Sequence, residues 1–190
     1  PIGAAPINSR PVPPGTPKWG SEWKKTTVQY YANSMSIGCE ASNYSTRNNY
    51  LSLDPNYTDP HGRPLLRITF DFTDNDLRMA QYVTDKTAEI ARALNPKMIV
   101  ASPRKGPWSN TSYQSSHVVG GFVMGADPST SSVNKHLQVW DVPNLFVVGA
   151  SAFPQNPGYN PTGTVGALAF KAAHAIRTYY LKRPGEMISV

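Results

Sequence analysis

Two stretches decide how this chain reads. The first is Ser115-Ser116-His117-Val118-Val119-Gly120-Gly121-Phe122-Val123-Met124-Gly125. The second is Leu145-Phe146-Val147-Val148-Gly149-Ala150-Ser151-Ala152-Phe153-Pro154, continuing through Asn156-Pro157-Gly158-Tyr159-Asn160-Pro161-Thr162-Gly163-Thr164-Val165. Each sets a short apolar run against glycine-rich backbone. Together they offer one imidazole, His117, and one amide, Asn160. An imidazole takes up a proton near neutral pH. An amide donates to an oxygen without changing charge. The pair suits chemistry on an alcohol, in which a base takes the hydroxyl proton while an amide holds the oxygen. The alternative is that His117 and Asn160 are ordinary turn and surface residues at strand ends.

Working outward, Val118–Met124 predicts a buried strand, and Leu145–Val148 predicts a central strand of a parallel α/β sheet. The C-terminal ends of such strands are where ligands sit, and small residues there let a ligand approach the backbone. A helix is predicted from 161 to about 182, with Pro161 at its first position and Val165, Leu168, Ala169, Ala172, Ile176 and Tyr179 as its buried stripe. Leu137–Trp140 predicts a short strand, and residues 98–101 another. The clearest helix runs from 74 to 94. Thr73 is its N-cap, and Leu77, Ala80, Val83, Thr84, Thr87, Ile90, Ala91 and Leu94 form its apolar face. This helix is expected to cover a sheet.

That sheet begins with strands predicted at 34–42, 48–54 and 65–72. In the last, Leu66, Ile68, Phe70 and Phe72 alternate with Arg67, Thr69 and Asp71, which predicts one buried face. Residues 54–64 are rich in turn formers, so the last two strands are expected to pair antiparallel. A short helix is predicted over 21–33 with Ser21 as N-cap. Residues 1–20, with six prolines, read as an extended linker closed by Trp19 and Trp23, which are expected to anchor it on a core.

The chain has 190 residues, enough for one sizeable core and part of another. Its net charge of +6 comes from scattered Lys and Arg, with no basic stripe interleaved with aromatics, which argues against nucleic acid. A single cysteine, Cys39, excludes an internal disulfide. The four histidines lie far apart without ligand spacing, so no metal site is expected; His61, His136 and His174 read as turn or surface residues. No apolar run reaches the ~18 residues of a membrane span. The chain starts at Pro1 without methionine, which suggests a piece of something longer.

His117-x-x-Gly-Gly, Met124-Gly125-x-Asp127-Pro128, Ser132-Val133-Asn134, Asp141 to Ser151, and Asn160-Pro161-Thr162-x-Thr164 follow one another in an order and spacing that resembles the C-terminal signature of the glucose-methanol-choline (GMC) oxidoreductases. The resemblance is strongest over residues 115–182. It is nearest to the bacterial membrane-associated branch of gluconate, fructose, sorbitol and glucose dehydrogenase flavoprotein subunits. It implies an FAD-dependent enzyme oxidising the CH–OH group of a sugar or polyol, with His117 as base and Asn160 as its partner. It further implies cofactor contacts from Gly149, Ala150, Asn160, Pro161 and Thr162. Many members carry a second histidine where this chain has Asn160, and Asp-Gly-Ser where it has Gly149-Ala150-Ser151, so any cofactor bond at those small residues comes from backbone.

The dinucleotide fingerprint Gly-x-Gly-x-x-Gly is absent. The resemblance places it upstream, in an N-terminal FAD-binding portion of the same protein. The resulting expectation is an α+β chain. Residues 1–20 form the linker, and 21–128 form part of a substrate-binding domain, an antiparallel sheet covered by helices. Residues 129–190 supply the strand and helix that complete an α/β FAD-binding domain. The branch also implies a small subunit, a cytochrome c subunit and a periplasmic, membrane-associated location.

Two other classes compete. Gly149-Ala150-Ser151-Ala152-Phe153 lacks the final glycine and the serine position of a hydrolase nucleophile elbow. A secreted, non-catalytic carbohydrate-binding module is the alternative, with exposed Trp and Tyr and Asn-x-Ser/Thr triplets at Asn43, Asn56 and Asn110.

Overall fold

A computed structural model describes residues 2–5, 12–111, 115 and 117–187. The chain is α+β, with three two-stranded antiparallel sheets and three α-helices among the described residues. It divides into two compact units, 1–41 with 77–104, and 42–76 with 105–190.

In the first unit, β1 (Ile2–Ala5) pairs antiparallel with β2 (Ser36–Cys39), so the extended N-terminal segment carries a strand. Between them lies α1 (Gly20–Tyr31). Its N-cap is Trp19 rather than Ser21, and no side chain caps it. No residue of α1 is buried, and Trp19 and Trp23 are exposed, so neither anchors the segment to a core. The reason is composition: in Glu22-Trp23-Lys24-Lys25-Thr26-Thr27 the charged and hydroxyl residues leave no continuous apolar stripe to bury. Residues 98–101 form no strand, and Met98, Ile99 and Val100 are exposed.

Helix α2 (Asp74–Ala93) follows its predicted span closely. Thr73 Oγ1 accepts the backbone N–H of Asp76 at 3.2 Å, while the Asp76 carboxylate accepts the Thr73 N–H at 2.8 Å, a reciprocal cap. Asn95, with φ +49°, ends it in the left-handed conformation that Asn tolerates. Leu77, Ala80, Val83, Thr84, Thr87 and Ala91 are half-buried, and Ala88 is the buried centre of the stripe; Ile90 and Leu94 are exposed.

In the second unit, β4 (Tyr50–Thr58) and β5 (Pro64–Thr69) form the predicted hairpin. β4 runs further than its apolar pattern, through a bulge between Leu53 and Thr58. There the Asp54 carboxylate accepts the N–H groups of Asn56 and Tyr57, bonds that hold it below the usual carboxylate range. Asp59 ties the turn through the N–H groups of His61 and Arg63. The hairpin face expected to be buried is not: Leu53, Leu66 and Ile68 are 67%, 61% and 66% exposed. Alternation states which residues share a face, but burial needs a second layer. The base of the hairpin is packed, where Phe70 meets Phe72 and Trp108 edge to face at 5.8 and 5.7 Å.

The core of this unit is Val133, Leu137, Val139, Ala152 and Ala172, with Met124, Val147 and Leu168 against it. It is built on turns more than on strands. Gln138 bridges to Phe146 and Val139 to Val133, so the predicted 137–140 strand survives as paired residues in a looped segment. Leu145–Val148 is not a central parallel strand: its bridge is antiparallel, and Leu145 and Val148 are exposed. A four-residue run becomes a central strand only with neighbours on both sides, and among the described residues its one bridge is to Gln138. Leu137 takes φ +64°, costly for a branched side chain, and is fully buried.

Helix α3 (Thr162–Ala175) passes directly into a π-helical turn (Ile176–Tyr180), so the predicted helix covers most of its span with a change of winding. Pro161 is the N-cap rather than the first helical residue. Ala172 and Ala175 face the interior, Val165, Leu168, Ala169 and Ile176 are half-buried, and Tyr179 is 39% exposed. Tyr180 meets Phe146 edge to face at 5.3 Å, and Tyr179 lies 6.0 Å from His136. His136 is buried, not a surface residue, because its turn folds into the core beside Leu137.

Candidate active site

His117 is held by its main chain. Its N–H donates to Ser115 Oγ at 3.0 Å, and its carbonyl accepts the side-chain amide of Asn156 at 2.9 Å. The run that follows is not the buried strand its apolar residues predict, for Val118 is 76% exposed and Phe122 is exposed. Glycine explains the departure. Gly120 and Gly121 take φ +87° and +100°, which a regular strand does not contain. A Cβ on Gly121 would lie 2.8 Å from Leu51 Cδ1, so the residue also permits a close approach to the hairpin.

Although irregular, the run makes an alternating ladder. The N–H groups of Gly120, Phe122 and Met124 donate to the carbonyls of Ala150, Ser151 and Ala152 at 3.0, 3.0 and 2.9 Å. The two stretches singled out in the sequence are therefore neighbours in space. The ladder joins the 3₁₀ turn Ala150–Ala152 just after Gly149, whose φ of +119° excludes side chains and whose Cβ direction meets no atom within 4 Å.

From this turn the chain forms β6 (Gln155–Pro157), which pairs antiparallel with β3 (Ser42–Tyr44). Asn156 sits in the middle of β6. Four residues further on is Asn160, exposed and directly before Pro161. No side chain caps α3, and its first internal bond runs from the Val165 N–H to the Pro161 carbonyl. The N–H groups of Thr162, Gly163 and Thr164 thus make up a helix start suited to negative charge.

Residues 45–169 match the model of the GMC oxidoreductase family. The chain belongs to the GMC oxidoreductases. It is 52% identical, over 98% of its length, to a gluconate 2-dehydrogenase flavoprotein of Pantoea cypripedii. It is 34% identical, over 83% of its length, to a 2-methyl-1,2-propanediol dehydrogenase of Mycolicibacterium austroafricanum. Over 68% of its length it is 32% identical to a fructose dehydrogenase large subunit of Gluconobacter japonicus. The chain spans 31%, 28% and 22% of these relatives, about a third of their length or less.

In this GMC chain all six sequence-predicted site residues fall within the family match: His117, Gly149, Ala150, Asn160, Pro161 and Thr162. The main-chain ladder brings the His117 run to Ala150, and Asn156 connects His117 to the segment that carries Asn160. Gly149 and the uncapped start of α3 fit a flavin: one leaves open space beside positive-φ backbone, the other offers free N–H groups.

Sequence reasoning missed Asn156 and the buried amide Gln138. The side chain of Gln138 donates to the carbonyls of Pro143 and Gly185 at 2.6 and 2.7 Å and accepts the Met187 N–H at 2.8 Å. Neither residue stands in a recognisable motif; the only cue for Asn156 was its place between two turn-forming segments. An open depression of about 450 Å³ lies beside Arg47, Tyr50 and Ser129–Ser132, and none of the six predicted residues lines it.

Proposed function

We propose that this chain is the C-terminal part of an FAD-dependent dehydrogenase that oxidises a CH–OH group of a sugar or polyol. The observation that carries the reading is the ladder from Gly120, Phe122 and Met124 to Ala150–Ala152, within the GMC match, which brings the run that follows His117 alongside the small-residue turn after Gly149. Gly149, Ala150, Asn160, Pro161 and Thr162 are the residues that would hold FAD, whose part in the reaction is to accept a hydride. His117 takes the hydroxyl proton at an imidazole nitrogen as that hydride leaves the carbon. Asn160 donates to the substrate oxygen and holds it in place. A positioned base contributes roughly 10²–10⁴ in rate, and orientation of the alcohol contributes further.

On this reading residues 21–128 belong to the substrate-binding portion, and 129–190 complete the FAD-binding domain with an N-terminal portion of the same protein. A flavoprotein and a large subunit among the relatives support partner subunits in general; a small subunit, a cytochrome c subunit and a periplasmic, membrane-associated location through them are part of this proposal. The family membership gives no support to a non-catalytic carbohydrate-binding module.

The test is flavin absorbance in the full-length flavoprotein, mixed anaerobically with a panel of sugars, sugar acids and polyols, in wild type and His117→Ala. Bleaching by one substrate, slowed at least about a hundredfold in the variant, is the expected outcome. A protein without flavin, or one reduced equally fast without His117, would overturn the reading.

A further inference from the structure

We infer that Asn156 is a positioning residue for the reaction, setting where the His117 imidazole stands relative to Asn160; the inference rests on the reading of His117 as the base. His117 occupies a backbone stretch with little regular structure of its own. It precedes two positive-φ glycines, and its neighbour Val118 is exposed. A side chain on such backbone is placed only as well as the main chain beneath it. The Asn156 amide reaches across from β6 and donates to the His117 carbonyl at 2.9 Å. The donor itself stands on firm ground, because β6 is paired with β3 in the register Asn43 to Asn156 and Tyr44 to Gln155. The next bond along the run, Gly120 N–H to the Ala150 carbonyl at 3.0 Å, ties it to the turn from which β6 emerges. The segment 150–160 therefore holds the His117 run through the Asn156 bond and through the ladder that starts at Gly120, and it carries Asn160 at its far end. The Asn156 bond falls on residue 117 itself, from a side chain 39 positions away in the chain. A misplacement on the order of 1 Å at a reacting group costs ~100-fold in rate. A half-buried amide that fixes a carbonyl is thus placed to act on rate without touching substrate.

The experiment measures single-turnover flavin reduction by a saturating alcohol substrate in the full-length flavoprotein, in four forms: wild type, Asn156→Leu, His117→Ala and the double variant. Leu is similar in size and lacks the donor. The expected result is that Asn156→Leu slows reduction ~10- to 100-fold, changes the substrate Kd less than ~3-fold, and leaves flavin content intact. The double variant should be no slower than His117→Ala within ~3-fold, because a residue that acts through His117 has nothing left to act on. Two results overturn the inference: an Asn156→Leu rate within ~2-fold of wild type, or a double variant slowed by the full product of the single effects. If His117→Ala alone reduces as fast as wild type, the base assignment itself fails, and that outcome is separate because it is read without Asn156. Should Asn156→Leu not fold, Asn156→Asp supplies the same reading. Its carboxylate keeps the shape and repels the carbonyl, so a wild-type rate in that variant would equally overturn the inference.

Discussion

At the scale of single residues, the buried amides do more than the motif residues to shape the second unit. Gln138 is 2% exposed and uses its whole side-chain hydrogen-bonding capacity: Nε2 to the Pro143 and Gly185 carbonyls, and Oε1 from the Met187 N–H and the Asn134 amide at 3.2 Å. It pins residues 185–187 to the loop that leads into Leu145–Val148. Gln138→Ala should lower stability by about 2–4 kcal/mol, since several buried backbone groups lose their partner together. Chemical denaturation checks this. Gln138→Glu should be at least as damaging despite its matching shape, because a carboxylate cannot donate to two carbonyls; a near-neutral Glu variant would show that the site only needs filling. Asp127 is the exposed, local counterpart: its carboxylate accepts the Ser129 N–H at 2.8 Å and is held below its ordinary range by that bond. Gln138 was visible in the sequence as a letter, but its partners lie 4 to 49 positions away and no spacing rule predicts them.

At the scale of elements, legibility followed how local the determining interactions are. The span of α2 was readable because its cap, Thr73 with Asp76, and its terminator, Asn95, lie within one turn of its ends. Thr73→Ala should cost about 1 kcal/mol, within the 0.5–2 kcal/mol of an N-cap loss, and a shifted denaturation midpoint measures it. The hairpin was readable for a similar reason: Asp59 and Gly62 organise its turn through neighbours. Strands at 98–101, 118–124 and 145–148 were not, because an apolar run states a preference for burial and leaves the pairing open. In the second of these, Gly120 and Gly121 give up regular extension for close contact. The π-helical turn after Ala175 left no sequence signal; it carries Tyr180 and Tyr179, whose rings meet those of Phe146 and His136.

At the scale of the whole molecule, the proposed cofactor role gives a direct prediction. Gly149→Val should lower flavin content at least about tenfold in the full-length protein, because a β-branched residue neither adopts φ +119° nor leaves open the space beside that backbone. The ratio of flavin to protein absorbance reads this out, and a fully loaded variant would remove Gly149 from the cofactor contacts. The exposure of Leu53, Leu66, Ile68, Leu145 and Val148 belongs to this scale too. These residues are patterned for burial, yet the chain spans about a third of its relatives. By itself the sequence determined the family, the order of the motifs, the locally capped helix and the hairpin, because each rests on residues close together in the chain. Only the tertiary structure decided that the His117 run lies along Ala150–Ala152, that Asn156 grips the His117 carbonyl, and that Gln138 closes the core. Those are bonds between distant segments, and their formation depends on how the intervening turns fold rather than on any local preference.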